Sequence, residues 1–385
     1  MDVCAGLVGM ALPLSLKAEF GLSDDRAGLI IGTSTLVYMV SPLFTGLIAD
    51  RFGATFALRI GTLIIFVDSL AFCFSNSLPV FILCAMGSPL GHAFFWPALQ
   101  AWLAQDVDRR EIARRIGIFS IGWSIGLSVV GPKLGGDLME YSGRLPFAAC
   151  CLISSALFCF FQFIRPELPR HEVHPTQEAD EIHPIEVRRR FLRGARIANL
   201  MAVYAIVTMR NFLPMVCIDW NLPKSQIGTV MMILGISQCL TFFILSRTHC
   251  WHFRSLYLLS GQTLGMIGLF AFGLGGIFFL SSNPAENASR GIILALPALI
   301  LTGSMAGIAF VNSAFYGLFG EEDKGKNSGI NESIIGAAMV LAAYLGGGAV
   351  KCFGSMGPYI TCGMLVGFCL LLQVSVFRPH RKKNL

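Results

Sequence analysis

Gly46-Leu-Ile-Ala-Asp-Arg-Phe-Gly53 is a short charged turn at the junction of two apolar runs, at about 26–48 and 55–75, each long enough to cross a bilayer. Its two glycines let the chain reverse within a few residues. Asp50 and Arg51 hold that reversal at a wet interface, because both charges are costly in hydrocarbon.

The rest of the chain has the same character. Hydrophobic residues make up 54% of the 385 residues and charged residues only 14%. The mean hydropathy is +0.66, whereas a soluble domain is roughly a quarter charged. Apolar stretches recur at 3–16, 26–48, 55–75, 79–104, 115–136, 145–164, 197–219, 226–246, 255–280, 291–318, 329–350 and 357–377, which predicts an all-α integral membrane protein of twelve transmembrane helices. The first run is short: about 14 residues rise only about 21 Å as a helix, against a hydrocarbon core of about 30 Å. Met1-Asp2 offers no positive region of the kind that opens a signal peptide. The expectation is therefore a first span that begins upstream of Met1, with roughly 8 to 12 further residues, which places Asp2 inside the membrane.

Most of the 29 lysines and arginines fall in alternate loops: around Arg51 and Arg59, at 109–115, at 165–196, at Arg247 and Arg254, at Lys324 and Lys326, and after Arg378. By the positive-inside rule that side is cytoplasmic, with both termini inside, and the net charge of +6 records topology. Nucleic acid is not an expected partner, because the basic residues are scattered and have no aromatic platform among them. Residues 165–196 are the longest polar segment and read as a cytoplasmic linker whose basic end lies on anionic lipid. They divide the chain into 1–164 and 197–385. A repeat supports the division, since Gly21-Leu-Ser-Asp-Asp-Arg-Ala-Gly28 lies over Asn221-Leu-Pro-Lys-Ser-Gln-Ile-Gly228 at an offset of 200.

The opening motif resembles the loop between the second and third spans of the major facilitator superfamily, G-x-L-A-D-R-x-G-[RK]-[RK]. Gly46, Ala49, Asp50, Arg51 and Gly53 match, Ile48 stands for Leu, and Ala54-Thr55 replace the basic pair, with Arg59 one turn on as a substitute. Gly131-Pro-Lys-Leu-Gly-Gly136 resembles the G-P-x-x-G-G signature of the fifth span, read in that family as typical of proton-coupled exporters. Lys133 sits inside the signature, and Gly126 is one position too early for the additional family glycine. On physical grounds alone, Gly131, Pro132, Gly135 and Gly136 make a helix that bends and packs closely. The resemblance implies two pseudo-symmetric six-helix bundles around a midplane cavity lined by spans one, four, seven and ten. It also implies that Asp50 acts at an inner gate against the start of span eleven.

Polar groups at membrane depth are the site candidates, because they are costly there and face a cavity or a partner. Counting inward from the span ends puts His92 and Trp96 in span four, Arg210 and Asn211 in span seven, Gln238 in span eight and Asn312 in span ten. The family arrangement directs His92, Arg210, Asn211 and Asn312 toward substrate, with Asp2 on span one. Tyr38 and Gln238 are equivalent under the offset and become cavity-edge groups. Each has a plainer reading as well. His92 fits a hydrogen-bonded packing residue. Arg210 cannot shed its charge and needs an anion, a carboxylate or water; Asp68 is its candidate partner from another span, because Asp219 lies too far along the same helix. Glu332 reads as a helix cap, and Pro214 as a kink or break in span seven.

The twelve cysteines contain no C-x-x-C, and no phosphate-binding loop is present, so uphill movement of a solute requires an ion gradient. His249-Cys-Trp-His252 lacks a third nearby metal ligand. The resemblance implies a non-enzymatic transporter in the plasma (inner) membrane. Its expected partners are a small-molecule substrate, the lipid bilayer and protons, with no cofactor or metal, and a monomeric state. An uptake permease for a small solute, a proton-coupled exporter of amphipathic compounds and a nontransporting membrane sensor all remain open.

Overall fold

The structure is a computed structural model that describes residues 1–103, 121–164, 184–248, 250–279, 284–318 and 324–378. Side chains at 43, 46, 47, 50, 100–103, 284–287, 318 and 324–329 lie outside that description. The described residues are helical nearly throughout. The first half contains α1 (Asp2–Ala18), α2 (Asp24–Val40), α3 (Pro42–Phe52), α4 (Ala54–Phe74), α5 (Leu78–Leu103), α6 (Gly131–Tyr141) and α7 (Leu145–Phe163). The second contains α8 (Ile185–Asp219), α9 (Lys224–Arg247), α10 (Ser255–Phe279), α11 (Pro284–Leu318), α12 (Lys324–Phe353) and α13 (Gly357–Phe377). Among the described residues, nine helices are long and apolar enough to span a membrane. The short first run is the 17-residue α1.

Helix ends depart from the apolar runs in ways that proline, glycine and charge explain. The second run is divided at Ser41, where Pro42 opens α3. Gly53 separates α3 from α4 at φ 92° and ψ 153°, a conformation closed to residues with a side chain. α8 begins at Ile185, so the basic end of the expected linker is not loop but a helical extension continuous with span seven. Phe191 anchors it, with ring centroids 5.4 Å from Phe253, 5.4 Å from Tyr316 and 5.0 Å from Phe377. Pro214 does not break α8, which runs uninterrupted to Asp219. Lacking an N–H, it leaves the Arg210 carbonyl without its in-helix donor. α12 begins at Lys324, which places Glu332 inside the helix rather than at its cap.

The repeat is visible in the backbone. Gly21 and Asn221 both turn the chain through positive φ, 64° and 56°, and α2 and α9 start at Asp24 and Lys224. The two halves meet along α2 with α12, α6 with α9, and α1 with α8. Glycines permit these seams. A Cβ on Gly28 would meet Gly347 Cα at 3.3 Å, and one on Gly136 would meet Gly228 Cα at 2.7 Å. α8 is the most enclosed of the nine, with 83% of its apolar window buried, whereas α13, at 22%, faces outward.

Candidate functional site: the midline between the halves

At one end of the molecule the halves are tied by charge. Lys17, at the end of α1, lies 2.8 Å from Asp24 Oδ1 and 2.9 Å from Asp219 Oδ1, and donates to the Met215 carbonyl at 3.0 Å. Three partners on two elements hold α1, α2 and α8 together. Glu140 Oε2 also accepts the Ser225 backbone N–H at 3.1 Å, from α6 to α9. Asp24 precedes the apolar run, and its carboxyl is raised above the usual range. Burial is the larger cause and outweighs the lowering by Lys17. In the sequence Lys17 simply follows the short apolar run at 3–16 and carries no signal of its partners. At the Arg51 end, α3 packs on α2, α4 and α5 of its own half.

Between the ends, Arg210 crosses from α8 to the first half and donates from Nη2 to Ser128 Oγ at 2.6 Å. Ser128 in turn donates to Gln238 Oε1 at 3.4 Å. Ser128 lies in a π-helical turn, Gly126–Val130, just before Gly131-Pro132. Pro132 supplies no N–H to the Ser128 carbonyl, which lies against Gly235 of α9 with no room for a side chain. Asp68 is not the partner of Arg210. It sits between α4 and α5 against Gly87, with Oδ2 buried and unbonded. Asp219 is engaged by Lys17. No carboxylate lies within ion-pair distance of Arg210 among the described residues.

On the first-half side, Trp96 Nε1 donates to Asp2 Oδ1 at 2.7 Å. The Trp96 ring is 4.7 Å from His92 and meets Tyr38 edge-on at 5.6 Å. His92 is buried and donates from Nδ1 to the Ser88 carbonyl at 2.8 Å, as the packing reading has it, but its Nε2 has no partner. Four candidates from three helices thus come together: Asp2 of α1, Tyr38 of α2, and His92 and Trp96 of α5.

The remaining candidates separate from this group. Asn312 is buried and donates to the Ile308 carbonyl of its own helix at 2.8 Å. Gln238 is buried against Ser128, and Asn211 Nδ2 is buried without a partner. The polar network beside Asn312 was not anticipated: Asn199 Nδ2 and Ser313 Oγ both donate to Asn331 Oδ1, at 3.1 and 2.7 Å. Such amides carry no charge signal in a single sequence. Gly131 packs on Gly6 of α1, Gly135 on Met10, and Gly136 on Gly228, so the Gly-Pro segment serves two seams as packing surface. Arg51 lies over the Phe52 ring at 5.4 Å. The side chains of Gly46, Asp50 and Ser328 lie outside the described residues, and so does the expected Asp50 gate. Arg59 does not turn toward that loop. It caps α7 by donating to the Phe161 and Ile164 carbonyls at 3.0 and 2.9 Å. His249 is outside the description, and His252 stacks on Phe315 at 4.4 Å.

The comparisons with known proteins bear on the family and the fold. The chain is 23% identical over 344 residues to an uncharacterised MFS-type transporter of Methanocaldococcus jannaschii, covering 87% of this chain and 85% of that protein. It is 25% identical over 164 residues to Multidrug resistance protein 1 of Bacillus subtilis, covering 42% of each. It is 28% identical over 142 residues to the quinolone resistance protein NorA of Staphylococcus aureus, covering 37% of this chain and 36% of that one. The inward-open xylose transporter XylE of E. coli superposes with TM-score 0.71 at 12% identity, covering 99% of this chain and 96% of that one. A structure from a study of substrate recognition in proton-dependent oligopeptide transporters gives TM-score 0.71 at 14% identity, covering 97% and 95%. At these identities the solved structures speak for the fold alone. The profile of the Major Facilitator Superfamily matches residues 2–317, and the chain belongs to that family of multi-pass membrane transporters.

Proposed function

We propose that this protein is a secondary transporter that carries a small solute across the plasma membrane by alternating access of its two halves, driven by a proton gradient. The observation that carries the reading is Arg210. It reaches across the seam to Ser128 and has no carboxylate partner among the described residues. A guanidinium keeps its charge and offers five N–H donors in a fixed fork, so one hydroxyl leaves most of them for an anionic group of the solute. The Lys17 contacts supply the moving part, since ties at one end of two packed bundles break when the bundles rock. By the positive-inside rule, the Arg51 end and both termini are cytoplasmic, and the tied end is the outer one. The protein acts as a monomer, because both halves of the path lie in one chain.

A second reading, a proton-coupled exporter of amphipathic compounds, is favoured by relatives named for multidrug and quinolone resistance and by the Gly131–Gly136 segment at the α6–α9 seam.

The test is a thermal-shift screen of metabolites on purified protein, followed by flux of each hit in liposomes with and without a proton gradient. Gradient-driven flux is expected. Loss of a hydrogen bond to a charged group costs about 1.5–3 kcal/mol, so Arg210→Gln is expected to weaken binding of an anionic hit about 10- to 100-fold, with Arg210→Lys intermediate. Binding without net movement would establish a sensor instead. Unchanged affinity in Arg210→Gln would return that residue to a structural role.

A further inference from the structure

Inside the first half, two thiols face one another across 146 positions of sequence. Cys4 of α1 and Cys150 of α7 are both fully buried. Cys4 Sγ donates to the Cys150 carbonyl at 3.9 Å, and Cys150 Sγ donates to the Cys4 carbonyl at 3.6 Å. Each sulfur thus lies against the other residue's backbone, and the two thiols also act directly on each other. Side chains that point toward one another in this way can be bridged, whereas diverging Cβ vectors cannot. The helix that carries Cys4 is closely seated as well. A Cβ on Gly6, half a turn on, would meet Gly131 Cα of α6 at 2.8 Å.

Burial decides which reagents reach the pair. Charged reductants such as glutathione are kept out of a site with no accessible surface between apolar helices, because their charges are costly there. A neutral hydroperoxide dissolved in the hydrocarbon meets no such barrier. Cys73 of α4 and Cys151 of α7 are half-buried, and Cys73 acts on Cys150 and is acted on by Cys151. They are the competing partners for Cys150, but only Cys4 and Cys150 exchange contacts through both sulfurs.

We propose that Cys4 and Cys150 are an oxidation site, a dithiol that a membrane-dissolved alkyl hydroperoxide converts to a disulfide stapling α1 to α7. One sulfur attacks the terminal peroxide oxygen, the O–O bond breaks, and the alcohol leaves with that thiol's proton, which produces a sulfenic acid. The second sulfur attacks the sulfenic sulfur, the S–S bond forms as the S–O bond breaks, and hydroxide leaves as water with the second thiol's proton. Two electrons pass from the thiols to the peroxide. Reactants and products are all neutral, as an apolar site requires. The staple closes a loop of 146 residues and steadies the helix that carries Lys17. Both cysteines belong to the first half, so the staple does not tie the two halves together, and the inference is independent of the solute.

The test is treatment of purified full-length protein in nanodiscs with cumene hydroperoxide, then denaturation, alkylation of the remaining thiols and peptide mapping by mass spectrometry. Cys4 and Cys150 are expected to escape alkylation together, and a peptide pair joined through them is expected to appear. The thermal midpoint of the treated protein is expected to rise by a few degrees. Glutathione is expected to restore the two thiols only after the fold has been opened with dodecyl sulfate. Cys4→Ala and Cys150→Ala are each expected to abolish both the linked peptide and the rise. Full alkylation of the pair while the exposed Cys159, Cys250 and Cys352 are oxidised would overturn the proposal and leave two packing residues. A link from Cys150 to Cys73 or Cys151 would overturn it too, as would reduction of the linked pair by glutathione in the folded protein. The mapping is made on wild type, so a folding defect in either alanine variant leaves the test standing.

Discussion

Gly53 carries the turn from α3 to α4 at φ 92°, where a Cβ meets backbone atoms of its own residue and neighbours. Gly53→Ala is expected to cost about 1–3 kcal/mol and to lower the thermal midpoint. Gly9→Ala makes the matched control, because nothing lies within 4 Å of its Cβ position and Gly9 has ordinary helical φ. That change is expected to stabilise by about 0.4–1 kcal/mol. A fall in both variants, read by tryptophan fluorescence on heating, would remove the conformational argument at Gly53. Charge made Arg210 legible in the sequence, and expense in hydrocarbon made Asp2 and His92 legible. Their partners were not. Ser128 is a small hydroxyl in an apolar run, and Trp96 meets Asp2 from 94 positions away, a pairing that a single sequence does not record.

Among the elements, the α6–α9 seam shows how glycine sets helix distance. A Cβ at Gly235 would overlap the Ser128 carbonyl, and one at Gly228 would meet the Lys133 carbonyl at 3.1 Å. Gly235→Leu is expected to force these helices apart at about 1–3 kcal/mol and to displace Ser128 from Arg210. Solute binding is then expected to fall with the thermal midpoint. Unchanged binding and midpoint would show that the seam tolerates separation. The apolar runs gave the helices their existence and order, because period and length are local properties. Their ends were less legible, for a physical reason: Ile185 and Lys324 open helices that continue past the hydrocarbon, where polar residues are helical without a drop in propensity. Glu332 was misread for the same reason, since a helix that starts at Lys324 leaves it no cap to make.

Across the whole molecule, the halves meet through the Lys17 contacts at one end. Asp24 gives the stability of this folded state a pH dependence of definite sign. Its carboxyl is raised chiefly by burial, so its contribution is fully present below the ordinary carboxylate value of about 4 and is lost as pH rises through the raised one. Asp24→Asn is expected to flatten the pH dependence of the thermal midpoint and to raise that midpoint at neutral pH. An unaltered pH profile of the thermal midpoint in that variant would contradict the burial argument. Lys17→Gln acts in the opposite direction. It removes an ammonium with three partners and leaves the Asp24 side chain, only 10% exposed, without its charge partner. The loss is on the order of 1–3 kcal/mol, about 5- to 150-fold in the balance between tied and open states.

Electron-spin distance measurement tests the rocking of the halves most directly. Labels carried by noncanonical residues at Ser77 and Lys351, both exposed at the Lys17 end, report on opposite halves. Wild type in nanodiscs is expected to show a dominant short distance. Lys17→Gln is expected to transfer population to a longer one, while a second pair at the Arg51 end, Arg51 and Ser246, shortens in step. A single distribution at both ends, unmoved by Lys17→Gln, by pH and by solute, would contradict alternating access in this protein.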